Sequence, residues 1–152
     1  MSFVDERILI LTSTQKDSES TRKLLQKWDL KPHVCSRFED LIHQISQGAG
    51  ALLIAKEILI GSNLEHLIDI LAAQESWSDL PVIVLASAGD LTEGNAQAIQ
   101  VLRKIRNTTV LERPVRIATL MSILESAIAN RKRQYEVRNL FTDLVEARKE
   151  AD

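Results

Sequence analysis

Aromatic side chains make up only 4% of this 152-residue chain. That is too few for an aromatic ligand cage or for a platform on which nucleobases stack. One cysteine is present, Cys35, so no disulfide can close within the chain and a reducing compartment is the natural setting. Lying in a short β-like stretch, Cys35 is expected to act as a small buried hydrophobe. No apolar run approaches the ~20 residues needed to cross a bilayer. The first residues, Met1 to Glu6, lack the charged-then-apolar order of an export signal. A cytoplasmic location with no membrane partner is therefore expected. Net charge is −2 with both signs interspersed, which gives no electrostatic case for nucleic acid. The one basic triplet, Arg131-Lys132-Arg133, reads as a solvated helix face. His33, His43 and His66 are scattered with no zinc-like spacing, so neither a metal nor any other cofactor is expected. Glycine-rich phosphate loops are missing too, because Gly89 and Gly94 do not follow a strand at the required spacing.

What is there is a steady alternation. The chain is 45% hydrophobic, enough for a normal core, and its length fits one domain plus an extension. Continuous apolar blocks read as parallel strands covered on both faces. They fall at Arg7 to Leu11, Ala51 to Ile54, Val82 to Leu85 (opened by Pro81) and Thr109 to Leu111, with a brief one near Pro32 to Cys35. Between them lie stretches of helical period. The first is capped near Asp17 or Ser18 and runs through Leu24, Leu25 and Trp28. The second is capped by Ser36, with Glu39 at capping-box spacing, and carries Phe38, Leu41, Ile42 and Ile45 before Gly48 and Gly50 end it. The third starts near Ser62 or Asn63. The fourth spans roughly Glu93 to Arg106, and the fifth starts at Pro114.

Five βα units in sequence imply an α/β fold, one parallel sheet with helices on both faces. In such sheets the functional crevice lies beyond the carboxyl ends of the strands. The residues that line it are then Thr12, Ser13, Ala55, Ala86, Ser87 and Arg113.

Leu80-Pro81-Val82-Ile83-Val84-Leu85 and Leu111-Glu112-Arg113-Pro114-Val115, in order with the other blocks, resemble the receiver domain of two-component response regulators, the CheY-like family. The resemblance covers about residues 6–130. It implies a flavodoxin-like, doubly wound, five-stranded sheet in the order 2-1-3-4-5. It also implies a phosphorylation pocket, and here the pocket is degenerate. In active members two acidic residues after strand one hold Mg²⁺, an aspartate ending strand three takes the phosphoryl group, a Thr or Ser ends strand four, and a Lys precedes the proline after strand five. This chain has Thr12 and Ser13, Ala55, Ala86 and Arg113 at those positions, with Pro114 retained. The family's Lys–Pro bond is usually cis, and the residues alone leave Arg113–Pro114 open between cis and trans.

The chemistry of those replacements is adverse. Mg²⁺ dehydrates reluctantly and calls for carboxylate ligands, which two hydroxyls do not replace. Phosphoryl transfer depends on positioning and charge neutralisation, and Ala55 offers no nucleophile. Glu57, two residues on, reads as a solvent-facing loop residue, and Ser87 as an ordinary strand-end serine. Arg113 is left to pair with Glu112 or Glu57, or to face water.

No Gly or Pro lies between Pro114 and Asp152, so helix five can run unbroken for about 35 residues, ~50 Å. Its first half is expected to bury Ile117, Leu120, Met121, Leu124 and Ile128. Residues 1–130 then form the receiver-like domain and 131–152 a helical extension. Val137, Leu140, Leu144 and Ala147 follow at 3-4-3 spacing, a coiled-coil seam flanked by charge. The tail resembles the linker after the amino-terminal receiver-like domain of some bacterial sensor histidine kinases.

Three functional readings follow. The first is a non-enzymatic pseudo-receiver that works through protein contacts, with a second copy and linked or separate signalling modules as partners. The second is an anion- or ligand-binding sensory module using Thr12, Ser13, Ser87 and Arg113. The third is an atypical phospho-accepting receiver using Glu57 or Ser87. For dimerisation, the resemblance also offers the outer face of helix four, strand five and helix five.

Overall fold

The computed structural model describes residues 4–90 and 96–151. Five parallel strands form one sheet: β1 (Arg7–Leu11), β2 (Lys31–Val34), β3 (Ala51–Ala55), β4 (Val82–Ala86) and β5 (Thr108–Glu112). They lie in the order β2-β1-β3-β4-β5, and every neighbouring pair is parallel. The helices are α1 (Gln15–Lys27), α2 (Phe38–Gln47), α3 (Ser62–Ala72), α4 (Ala96–Leu102) and α5 (Ile117–Ala151). The doubly wound fold expected from the alternation is the one found. The predicted start of the fourth helix at Glu93, and Gly94, lie outside the described residues.

Strand alternation divides the core. Leu9, Leu11, Leu52, Ile54, Val82 and Val84 point to one face, where Phe38, Leu41, Leu67, Leu71 and Leu102 of α2, α3 and α4 cover them. Ile8, Ile10, Ala51, Leu53, Ile83 and Leu85 point to the other, under Leu25 of α1 and Leu120, Met121 and Leu124 of α5. The three inner strands are buried at every residue, which is why they read as unbroken apolar runs. Burying each such Leu or Ile contributes about 1.5–3 kcal/mol.

Local details correct several expectations. The cap of α1 is Thr14, whose hydroxyl accepts from the Asp17 N–H at 3.1 Å. Ser18 is instead buried. Trp28 caps the C-terminal end of α1 and is 44% exposed. At α2 the reach-back comes from Asp40, not Glu39: its carboxylate accepts the Ser36 N–H at 3.0 Å. The residue at the cap position is Arg37, without a side-chain bond. Pro114 precedes α5 by three residues rather than opening it, and the Arg113–Pro114 bond is cis. Ile117 opens α5 and is exposed; burial begins one turn later at Leu120.

At the other end of the sheet, Gly50 lets α5 approach the first residues of the chain. A Cβ there would stand 2.6 Å from Ile128 Cδ1 and 3.0 Å from the Asp5 carbonyl oxygen.

The largest correction concerns Arg131. It was expected on a solvated face, yet it is 5% exposed. Helical phase explains this: Leu124, Ile128, Arg131 and Tyr135 recur every three or four residues and share one face. Arg131 donates from Nε to the Ala49 carbonyl at 2.9 Å, and from its terminal nitrogens to Ser78 Oγ at 2.8 Å, Gln134 Oε1 at 2.7 Å and the Tyr135 hydroxyl at 3.2 Å. Its guanidinium lies 4.5 Å from the Tyr135 ring centre and 5.4 Å from that of Trp77. Arg138 covers the same rings, at 4.6 Å from Tyr135 and 5.5 Å from Trp77. The helix is thus bound to the body as far as Arg138, past the division at residue 130. Lys132 and Arg133 are exposed, as the triplet reading had it.

Candidate functional site

The carboxyl ends of β1, β3, β4 and β5 converge on the mouth of the sheet. Ala55 ends β3 and Ala86 ends β4, both with their methyl groups buried. Neither side chain offers an atom that can attack or take up a phosphoryl group. Immediately after Ala55 the chain makes a 3₁₀ turn, Lys56–Ile58, which carries Glu57 over the mouth.

The Glu57 carboxylate is the centre of what is found there. Ser13 Oγ donates to Oε2 at 3.0 Å, and Ser87 Oγ donates to Oε1 at 2.8 Å. Arg113 forms an ion pair with the same Oε1. The arginine is aimed by two further bonds, from Nη2 to Ser87 Oγ at 3.1 Å and from Nε to the Ala86 carbonyl at 3.0 Å. Partial burial acts to raise the Glu57 pKa, but the bonds from Arg113, Ser87 and Ser13 outweigh it and hold the carboxyl down to about 2. The group stays ionised across the physiological range.

Thr12 takes no part in that arrangement. Its hydroxyl donates to the Thr14 carbonyl at 2.9 Å and lies 2.7 Å from Ser18 Oγ, which also accepts the Thr12 N–H at 3.2 Å. This buried link fixes the turn between β1 and α1.

Beside Glu57, Lys56 pairs with Asp90 at 3.1 Å, and Asp90 accepts the Ser87 N–H at 2.7 Å. The Lys56 ammonium and that N–H hold the Asp90 carboxyl below its usual range. Glu112 accepts the Gly89 N–H.

The residues expected at the mouth are therefore brought together at Ser13, Ser87 and Arg113, with Ala55 and Ala86 forming the floor. Thr12 is turned away. Glu57 is exposed, as expected of a loop residue, and takes up the pairing with Arg113 that was one of the alternatives; what was not expected is that it also gathers Ser13 and Ser87. The available sign was charge: Arg113 needs an anion, and Glu57 is the acid nearest the end of β3. Ser87, read as an ordinary strand-end serine, directs its hydroxyl into the same cluster.

The residues present do not fit a Mg²⁺ site. Thr12 and Ser13 supply neutral hydroxyls where a hard dication needs carboxylates. Among the described residues there, Glu57 and Asp90 are each paired with a cation, and Glu112 accepts the Gly89 N–H.

The fold also brings the ligand atoms of His33, Cys35 and Asp40 within 4.8 Å of one another, the one such group among the described residues. Burial pushes the Cys35 thiol up to about 12 and lowers the His33 pKa. The Asp40 carboxylate is occupied by Ser36 and Gln44. Cys35, fully buried, is the small hydrophobe expected of it.

No protein-family model and no curated protein sequence matches the chain. Solved structures do. A response regulator receiver domain protein from Clostridium thermocellum matches with a TM-score of 0.66 and 18% identity, over 83% of this chain and 96% of its own. A receiver protein from Pseudoalteromonas atlantica matches with a TM-score of 0.61 and 22% identity, over 81% and 97%. NtrX from Brucella abortus, solved in complex with ADP, matches with a TM-score of 0.67 and 17% identity. There 88% of this chain is covered but only 28% of NtrX, so the chain spans less than a third of that protein. At these identities the likeness shows the fold: this chain has the receiver-like, CheY-type architecture.

Proposed function

We propose that this chain is a pseudo-receiver, a signalling domain on the receiver scaffold that takes up no phosphoryl group and catalyses no reaction. It acts through protein contacts, as the regulatory portion of a two-component sensor histidine kinase in the cytoplasm. One observation carries this reading. The crevice holds its own anion: the Glu57 carboxylate ties together Ser13, Ser87 and Arg113, above an alanine where an acceptor would stand.

The same observation weighs against the two other readings. A small anion would have to compete with Glu57, which takes the hydroxyl hydrogens of Ser13 and Ser87 and pairs with Arg113. As a phosphoryl acceptor, Glu57 would have to leave an ion pair and react with no metal to neutralise the incoming charge.

The test is incubation with a small-molecule phosphodonor and Mg²⁺, read by intact mass. The expected outcome is an unmodified chain. A stoichiometric phosphoryl adduct, lost on substitution of one residue at the mouth, would overturn the proposal.

Transmission then falls to α5. Val137, Leu140, Phe141 and Leu144 are each more than half exposed, a continuous apolar stripe beyond the body. We assign it a second copy of this chain. Replacing both Leu140 and Leu144 by Asp should leave the thermal unfolding of the body unchanged and shift the sedimentation mass from dimer to monomer. A parent chain that stays monomeric at high concentration would refute the assignment. The exposed seam is about two heptads, marginal by itself, so dissociation is expected in the micromolar range or weaker.

A further inference from the structure

We propose that two copies pair through α5 in parallel and in register, with the two bodies on opposite outer flanks of the helix pair. This rests on the pairing reading above and goes beyond it by fixing the geometry.

The first argument is angular. Successive residues of an α-helix advance by about 100°. On that wheel Leu124, Ile128, Arg131 and Tyr135, the face bound to the body, cluster within a narrow arc. Val137, Leu140, Leu144 and Ala147 centre about 180° away from it. The body therefore occupies the outside of the helix and leaves the seam clear. Arg138, stacked on Trp77 and Tyr135, holds that relation up to the point where the seam begins. A second helix can approach without meeting either body.

The second argument is charge. With Val137 and Leu144 at heptad position a, Leu140 and Ala147 fall at d. The acidic residues Glu136, Asp143 and Glu150 then all fall at g, while Phe141 and Arg148 fall at e. In a parallel in-register pair g faces e of the next heptad across the seam. Asp143 then meets Arg148 of the partner subunit, twice by symmetry, and Phe141 extends the apolar seam beside Glu136. In an antiparallel pair g faces g. Asp143 then meets its own copy and Glu136 meets Glu150, an unrelieved acidic edge. Like charges placed opposite one another disfavour that arrangement.

The decisive experiment measures dimer affinity of the full chain by sedimentation equilibrium for Asp143→Lys, Arg148→Glu and the double exchange. Both positions are exposed, so folding is not at risk. Parallel pairing predicts that Asp143→Lys weakens association by roughly tenfold and that adding Arg148→Glu restores it; two exposed ion pairs support a change of that order. Antiparallel pairing predicts no rescue: Asp143→Lys would still face its own copy, and Arg148→Glu would lie on the opposite edge. Oxidation supplies an independent arm. Leu140→Cys should cross-link to itself in a parallel pair. In an antiparallel pair Leu140→Cys should cross-link to Leu144→Cys in a mixture instead. Cys35, buried, leaves the parent as an uncross-linked control.

A dimer whose Asp143→Lys variant is not restored by Arg148→Glu, and that cross-links only in the mixture, overturns this geometry while leaving the pairing itself intact. A trimeric mass overturns the two-copy arrangement. A monomeric parent overturns the reading on which both depend.

Discussion

Each end of the sheet is organised by an arginine, and the two are used in opposite ways. At the mouth, Arg113 is about one-third exposed and pairs with a carboxylate that is itself partly solvated. At the opposite end, Arg131 is buried and is met by neutral acceptors and two aromatic rings. Solvent screens the first interaction, so its value to folding is small. The second is shielded from water, so the bonds lost with it weigh more, even though the Ala49 carbonyl, Ser78 and Gln134 each keep another partner. The mouth is thus built around charge placement, and the base around attachment of a helix. The base is where folding energy and the direction of α5 are joined.

The comparison is broken most sharply at Arg131. Arg131→Ala strips a partner from each of the Ala49 carbonyl, Ser78, Gln134 and Tyr135, and removes the guanidinium from the Trp77 and Tyr135 rings. A loss of about 2–4 kcal/mol is expected, a fall in melting temperature of roughly 5–15 °C. Amide exchange in α5 should rise from about Arg131 onward while β1 and β3 keep their protection. Arg113→Ala should cost under about 1 kcal/mol. If calorimetry gave the two variants equal losses, the contrast between the two ends would not hold.

How much of this was legible in the sequence follows the same division. The strands could be read because β1, β3 and β4 are buried on both faces, which forces continuous apolar runs. The length of α5 could be read because nothing after Pro114 interrupts it. The buried role of Arg131 could not be read from composition, since a basic triplet looks solvated; only its phase relative to Leu124 and Ile128 distinguishes it from Lys132 and Arg133. At the mouth, the missing acceptor at Ala55 and the missing metal ligands at Thr12 and Ser13 were plain. The role of Glu57 was not, because it depends on a 3₁₀ turn that swings the side chain back across the strand ends. The cap of α1 was missed for a related reason. Thr14 and Ser18 are both plausible caps by residue type, and burial of Ser18 against Thr12 decides between them.

The mildest expected effect sharpens the comparison from the other side. Glu57→Gln removes the charge at the mouth and keeps its shape. In the parent the Glu57 carboxyl is held down to about 2, below its ordinary value of 4.5. A carboxyl depressed in the folded state stabilises above its unfolded value, and that contribution fades as protons bind the folded form. The parent should therefore exceed Glu57→Gln by a small, constant margin above about pH 5. The margin should shrink as pH falls from about 4.5 toward 2 and vanish below that, where both forms are uncharged at this position. Asp40 and Asp90 are lowered too, so both chains lose stability over that acid range, and the difference between them is the quantity to follow. Carboxyl ¹³C shifts give the direct reading: a Glu57 midpoint near 2 agrees with an anion locked between Arg113 and two hydroxyls. A midpoint at the ordinary value would mean that the mouth is open and that Arg113 and the two serines are free to take another anion.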